Sequence, residues 1–304
     1  MSSVGRNPDA RLLLLSVWVS AAFAVGSLLL GLLIGSQMII FDGLYSFASV
    51  ALSLLAVVAL RTARKGADER YPWGREVWEP LTIVVKAAAL GGLCVYALIG
   101  AVGEITRGGR EVAAVPAVIY AVVAIAIGVA TSLYLRRGAR QGSDLVRAEA
   151  AEWMGDTLLS IGVLVGFVIA LVLELTGQKH IARYVDPAMV IIVSALFLRV
   201  PARLLAGGFR EVLTMAPAPP IREQLWSCVT EVERRYRFAE SFLRSSKVGS
   251  RLDVQIDYVV AEDSLAQNVR EFDAVRQDIN DLLEPLGYQQ WVSVVFTGDR
   301  KWAV

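Results

Sequence analysis

The sequence predicts an all-α membrane bundle of six transmembrane helices followed by a small soluble domain of α+β structure. Hydrophobic residues make up 55% of the 304 residues and charged residues only 19%, a balance too apolar for one water-soluble core. Several separate apolar stretches are long enough to cross a bilayer. After Pro217, Pro219 and Pro220 the composition becomes polar, which marks the start of a second domain.

The predicted spans follow from length, since crossing about 30 Å of hydrocarbon takes about 20 helical residues. Apolar stretches of that size lie near residues 12–34, 38–60, 80–103, 112–135, 150–174 and 186–206. We therefore expect a transmembrane domain over residues 1–210 and a soluble domain over residues 211–304.

Lys and Arg residues are distributed unequally between the two ends of these spans. If the N-terminus lies in the cytoplasm, the outer segments hold only Arg107, Arg110, Lys179 and Arg183, and the other flanking cations lie inside. This bias follows the positive-inside rule. It predicts a multi-pass protein of the bacterial inner membrane with both termini, and hence the soluble domain, in the cytoplasm.

Charge and cysteine content exclude several classes of function. Lys and Arg total 30 against 29 acidic residues, so the chain lacks the basic field that nucleic-acid binding needs. Cys94 and Cys228 stand far apart with no CxxC spacing, which argues against a thiolate zinc site. The sequence carries no nucleophile and base pair, phosphate loop or cofactor motif, so an enzyme is not expected.

The polar tail has a recognisable order of elements. An amphipathic helix is predicted over 221–237, strands over 239–247 and 251–260, a second helix over 265–283 and a last strand over 288–296. Within the second strand the apolar residues alternate with Asp253 and Asp257, a pattern typical of one buried and one solvated face. The order α-β-β-α-β predicts a two-layer sandwich.

A polar stripe runs along the second predicted span. The stripe consists of Asp42, Tyr45, Ser46, Ser49 and Ser53, which stand at i, i+3, i+4, i+7 and i+11 and so share one helical face. An ionisable group at the centre of a span costs about 2.5–3.5 kcal/mol on insertion scales. Such a residue therefore indicates function more strongly than packing.

The fifth predicted span carries Glu152 and Asp156 one helical turn apart. Two carboxylates held together in lipid repel each other unless a positive charge lies between them. A divalent cation cancels both charges, and oxygens on the second span can complete a shell of hard ligands. Exchange of the ion for protons follows as a hypothesis. The alternative is that Glu149 and Glu152 are interfacial charges and that only Asp156 is buried.

Four segments resemble, in order, those of the cation diffusion facilitator family. FDGLYSFAS at 41–49 and EWMGDTLLSIG at 152–162 resemble its two metal-binding signatures, YPWGREVWEPL at 71–81 its lead into the third helix, and VDP at 185–187 the opening of its sixth. The resemblance covers nearly the whole chain. It implies that the soluble domain is ferredoxin-like, and that the protein works as a homodimer in the lipid bilayer. It also implies export of a divalent metal by alternating access in exchange for protons.

The residues of the expected site depart from the family pattern. The resemblance places Tyr45 and Ser49 at the first ligand pair, whereas another register makes Asp42 and Ser46 that pair. Neither register contains a nitrogen donor, and an oxygen-only site favours Mn²⁺, Fe²⁺ or Mg²⁺ over Zn²⁺. The weak donors on the second span also leave open a different function. In that alternative the chain no longer transports and serves as a dimeric scaffold or regulatory subunit.

Lys86 is the one cation placed inside the third predicted span. In one interpretation its ammonium pairs with a carboxylate of the site and competes with the metal. In the other it extends to the cytoplasmic interface or pairs with Glu79. The sequence does not decide between the two.

Overall fold

The computed structural model describes residues 8–63, 65–138 and 144–304. Within these residues six helices are long and apolar enough to cross a membrane, which confirms the predicted bundle. They are α1 (Pro8–Ile34), α2 (Gln37–Ala63), α3 (Trp78–Thr106), α4 (Ala114–Gly138), α5 (Asp144–Leu175) and α7 (Val185–Val212), with a four-residue helix α6 (Lys179–Ala182) before the last.

The contacts within the chain divide it into two compact units. The first, here called the membrane unit, contains the chain up to Leu54 together with Lys86–Ala202. The second, called the soluble unit after the C-terminal domain in it, contains Leu55–Val85 and Arg203–Val304, and so also the adjoining ends of α2, α3 and α7. The second unit therefore includes the α2–α3 connection as well as the C-terminal domain. The predicted boundary between residues 210 and 211 remains a prediction.

In the membrane unit α1 and α2 form a tight hairpin. Gly35 between them has φ +77°, a left-handed conformation that suits glycine. A Cβ atom on Gly31 would lie 2.7 Å from the backbone nitrogen of Ile40, so only glycine permits this approach of the two helices. Helices α4 and α5 run along each other, and Thr157 of α5 is buried where Gly128 of α4 leaves room for it.

The N-terminus of α2 is fixed by a residue from α7. Asp186 is 3% exposed, and its carboxylate accepts hydrogen bonds from Ser36 Oγ at 2.5 Å, Gln37 N at 2.9 Å and Met38 N at 3.3 Å. The first N–H groups of a helix have no partner inside the helix, so a carboxylate there stabilises the helix end and suits its dipole. Asp186 thereby sets the position of α2 along α7.

Helix α7 contains a proline in its interior, Pro201. Proline has no backbone N–H, so the carbonyl oxygen of Phe197 lacks its usual helical donor. The ring of Phe197 packs against Tyr45 of α2, with 4.7 Å between the ring centroids.

The C-terminal domain has the predicted order of elements. It consists of α8 (Pro219–Tyr236), β1 (Glu240–Val248), β2 (Arg251–Val259), α9 (Val269–Leu283) and β3 (Gln289–Thr297). Strand β2 is central, pairing antiparallel with β1 and parallel with β3. Leu252, Ile256 and Tyr258 of β2 are fully buried in one core with residues of α8 and α9. This arrangement confirms the α+β fold.

The other face of β2 differs from the expectation of a solvated surface. Asp257 is 2% exposed and forms an ion pair with Arg244 of β1 at 2.5 Å. A second nitrogen of Arg244 donates to the carbonyl oxygen of Ala303, itself buried, near the C-terminus. The expectation that this acid lies in solvent is therefore wrong, because Asp257 is buried and its charge is paired with Arg244.

The α2–α3 connection packs on the sheet within the soluble unit. Arg251 of β2 donates to the carbonyl oxygen of Trp73 at 2.5 Å and to Glu76 at 3.1 Å. The ring of Trp73 stacks on Trp291 of β3 with 4.6 Å between centroids. These contacts give the segment YPWGREVWEPL a structural role in this chain, since its Trp and Glu residues attach it to the domain.

Candidate functional site

The polar stripe predicted on α2 lies on a continuous helix. Asp42, Tyr45, Ser46 and Ser49 are all half-buried. Unbroken α-helix over Gln37–Ala63 keeps their side chains on one face, as the spacing predicts. Neighbouring residues therefore cover part of each of these side chains and leave part of it accessible.

Asp42 is held by hydroxyl groups from two other helices. The Tyr120 hydroxyl on α4 donates to Asp42 Oδ2 at 2.7 Å, and Ser27 Oγ on α1 lies 2.8 Å from the Tyr120 oxygen. A carboxylate only accepts, so Tyr120 donates its single proton to Asp42 and Ser27 must donate to Tyr120. The sequence reasoning missed both hydroxyls. Their only signal was a tyrosine and a serine within apolar spans.

Tyr45 points into an aromatic cluster of α2 and α7. Its ring centroid lies 5.8 Å from that of Phe41 and 4.7 Å from that of Phe197. Aromatic packing of this kind fixes the ring position, which in turn limits where the phenol oxygen can reach. Tyr45 thus contributes to the core around the stripe, whichever ligand register applies.

Asp156 and Glu152 are the two acids that the sequence predicts for the site on α5. Asp156 is exposed in the single chain, and the Ser160 hydroxyl donates to its backbone carbonyl oxygen at 3.0 Å. The side chain of Glu152 lies outside the described part of the structure. Among the described side chains no three His, Cys, Asp or Glu residues gather as a metal centre. A site shared by α2 and α5 therefore remains a prediction.

A neighbouring part of α5 is anchored to α1. Trp153 Nε1 donates to Ser16 Oγ at 2.7 Å, and Ser16 donates to Glu149 at 2.5 Å. Ser16 is fully buried. Glu149 therefore accepts a hydrogen bond from a buried hydroxyl of α1, and its interpretation as an interfacial charge remains a prediction.

Lys86 contacts the polar stripe through a serine, a partner that the sequence analysis did not consider. Its Nζ donates to Ser53 Oγ on α2 at 3.1 Å. Ser53 lies eleven residues after Asp42, three helical turns along the same helix. The ammonium group therefore lies at the C-terminal end of the predicted stripe, away from Asp42.

A polar cavity of about 370 Å³ lies at the other end of the membrane unit. It is lined by the α3–α4 connection, the C-terminal part of α5, helix α6 and the start of α7. Its charged residues are Arg110, Glu111, Glu174, Lys179, Arg183 and Asp186. The three cations offset the three acids, and the Asp186 oxygens already accept hydrogen bonds from α2. The cavity has no excess negative charge, so it does not favour a divalent cation.

These features define a class of protein. Six membrane-spanning helices carry carboxylates inside two of them, and a small α+β domain follows, as in a membrane transporter for cations. A family model described as the cation efflux transmembrane domain matches residues 13–213. The chain belongs to the cation diffusion facilitator family, which confirms the resemblance inferred from its motifs and makes it a transporter rather than an enzyme.

Three relatives illustrate the family. The zinc transporter ZitB of Yersinia pestis is 25% identical over 271 residues, 88% of this chain and 84% of the relative. ZitB of Escherichia coli strain K12 is 29% identical over 216 residues, 71% of this chain and 66% of the relative. The manganese efflux system protein MneP of Bacillus subtilis is 21% identical over 260 residues, 84% of this chain and 86% of the relative.

Proposed function

We propose that this protein exports a divalent metal cation across the bacterial inner membrane and binds it between α2 and α5. The observation that carries the proposal is the presence of Asp42 and Asp156 inside apolar spans of a cation efflux protein. Carboxylates at such positions are costly unless a cation or a proton compensates them. A transported cation is the compensating partner that the family supplies.

Asp156 and Glu152 on α5 form one half of the proposed site, because they stand one turn apart on the helix. Asp42 with Ser46 forms the other half, and Tyr45 with Ser49 is the alternative pair. The hydrogen bond from Tyr120 supports the Asp42 register, since it occupies one oxygen and leaves further lone pairs for a metal. Replacing Ser46 or Ser49 by alanine distinguishes the registers, because only the serine of the correct pair affects metal affinity.

The transported metal is Mn²⁺ or Fe²⁺ in this proposal. Every proposed donor is an oxygen, and hard ligands suit these ions or Mg²⁺ better than Zn²⁺. The relatives include proteins named for zinc and for manganese, so both ions belong in the assay. A binding preference for Zn²⁺ would contradict the argument from ligand hardness.

Transport is proposed to exchange metal for protons in a homodimer that alternates between inward- and outward-facing states. When the cation leaves, protons replace its charge at the clustered carboxylates. Both termini and the soluble domain lie in the cytoplasm, as the distribution of Lys and Arg favours.

The test uses purified protein in proteoliposomes. Under an imposed proton gradient, wild type is expected to move Mn²⁺ or Fe²⁺, and Asp156→Ala is expected to abolish the movement. Glu174→Gln is the matched control, because it removes a carboxylate from the last turns of the same helix and should leave transport unchanged. Absence of transport for Mn²⁺, Fe²⁺ and Zn²⁺ alike, together with absence of binding, would instead support the scaffold.

A further inference from the structure

The hydroxyl chain that ends on Asp42 joins three helices of the membrane unit. Ser27 of α1 is 1% exposed and Tyr120 of α4 is 7% exposed, so both hydroxyls are removed from solvent. The donor direction runs from Ser27 to Tyr120 and from Tyr120 to Asp42. Every proton in the chain therefore points toward the carboxylate.

Tyr120 is held in place independently of Asp42. Its ring stacks on Phe23 of α1, with centroids 6.1 Å apart, and belongs to the buried core that includes Ala117 and Ala121 of α4. Burial in this core and the contact with Phe23 leave the ring little freedom, and Ser27 occupies an acceptor site of the hydroxyl. The hydroxyl proton is thus presented at a fixed point for the carboxylate of α2.

We propose that Tyr120 is a positioning residue of the cation site, which holds the Asp42 carboxylate in the orientation that receives the metal, and that Ser27 orients Tyr120. This inference rests on the proposed function and adds α1 and α4 to the helices that build the site. A carboxylate oxygen that accepts a hydrogen bond can still present its other lone pairs to a cation, as in metal sites where outer hydrogen bonds orient the ligands. Tyr120 does not touch the cation in this arrangement and acts only through Asp42.

The direct test is Tyr120→Phe, which removes one oxygen and keeps the ring that packs on Phe23. Titration calorimetry with Mn²⁺ on the purified full-length chain is expected to show affinity reduced about 10–100-fold, the range typical of losing an outer partner of a ligand. Ser27→Ala is expected to reduce affinity in the same direction by a smaller factor. Tyr134→Phe is the matched control on the same helix, because Tyr134 is 52% exposed, and it should bind as wild type.

A double-substitution cycle separates positioning from packing. If Tyr120 acts through Asp42, adding Tyr120→Phe to Asp42→Asn causes no further loss of affinity. An equal loss in both backgrounds, or wild-type affinity in Tyr120→Phe, overturns the inference while leaving the proposed function intact. If Tyr120→Phe does not fold, as judged by its melting curve, Ser27→Ala takes its place in the same cycle. A wild-type chain that binds none of Mn²⁺, Fe²⁺ and Zn²⁺ overturns the proposed function and this inference together.

Discussion

Asp42 in the membrane unit and Asp257 in the soluble unit are both acids at inward positions, but their partners differ in charge. The described partner of Asp42 is the neutral hydroxyl of Tyr120, whereas Asp257 pairs with the guanidinium of Arg244. A neutral donor orients a carboxylate without cancelling its charge, whereas a guanidinium orients the carboxylate and also cancels its charge. The charge of Asp257 is therefore balanced inside the protein, whereas the charge of an ionised Asp42 is left for a cation or a proton to balance.

The largest effect on metal binding is expected from Asp42→Asn. The amide oxygen still accepts from Tyr120, so the fold is kept, but the charge that attracts a divalent cation is gone. We expect Mn²⁺ affinity to fall by about 100-fold or more, beyond what losing an outer partner costs, with little change in melting temperature. Calorimetric titration and thermal unfolding of the detergent-purified chain measure the two effects. A variant with wild-type affinity would remove Asp42 from the site.

Asp186→Ala tests the structural role of Asp186, whose carboxylate accepts hydrogen bonds from neutral groups at the start of α2. Three donors at the start of α2 lose their acceptor, so we expect the free energy of unfolding to fall by about 2–4 kcal/mol, the sum of a lost helix cap and unsatisfied buried donors. Thermal unfolding of the full chain measures it. Asp186→Asn is the control, because asparagine is also a good cap and should recover most of the stability.

Asp257→Asn provides the counterpart in the soluble unit. The ion pair with Arg244 is lost, but the amide keeps a hydrogen-bond acceptor and Arg244 is half exposed to water. We expect unfolding free energy to fall by about 1–2 kcal/mol and Mn²⁺ affinity to stay at the wild-type value. Reduced metal affinity without reduced stability would contradict the division of roles between Asp42 and Asp257.

The smallest expected effect concerns Glu271 in the first turn of α9. Its carboxylate accepts from the backbone N–H of Gln267 at 2.7 Å and of Asn268 at 3.2 Å, and these hydrogen bonds hold the pKa of Glu271 below its ordinary value of 4.5. Because the folded pKa is the lower one, the contribution to stability is present above 4.5 and is lost as pH falls through the folded pKa.

Glu271→Gln tests this pH dependence, since glutamine also completes a capping box but does not titrate. Melting temperatures of wild type and variant, compared from about pH 6 down to about pH 3.5, should converge as Glu271 takes up its proton. A difference between the two proteins that stays constant with pH would refute the assignment.

Most of the fold was predictable from the sequence because the bilayer imposes a length and a composition on each span. The helices extend beyond the apolar stretches, as α5 does by beginning at Asp144, because polar residues at the interface continue the helical hydrogen bonds into water. In the tail, alternation over β2 predicted the strand, while helix α9 begins later than expected, where Asn268 caps it.

The site was less predictable, and the reason is physical. Helical periodicity places Asp42 on a face of α2, but it carries no information about which residue of another helix meets that face. Tyr120 and Ser27 became partners of Asp42 only through the packing of α1 and α4. Asp186 was recognisable as part of a family motif, yet its task at the start of α2 depends on a contact across 150 residues of sequence.

The missing backbone donor at Pro201 gives α7 a point of low bending stiffness, since a helix lacking one rung of its hydrogen-bond ladder flexes there more readily. The carbonyl oxygen of Phe197 is the one that lacks a helical donor, and the ring of Phe197 packs on Tyr45. Tyr45 lies about one turn along α2 from Asp42. Flexing of α7 at Pro201 therefore shifts the ring of Phe197 against Tyr45, beside the stripe proposed to bind the metal.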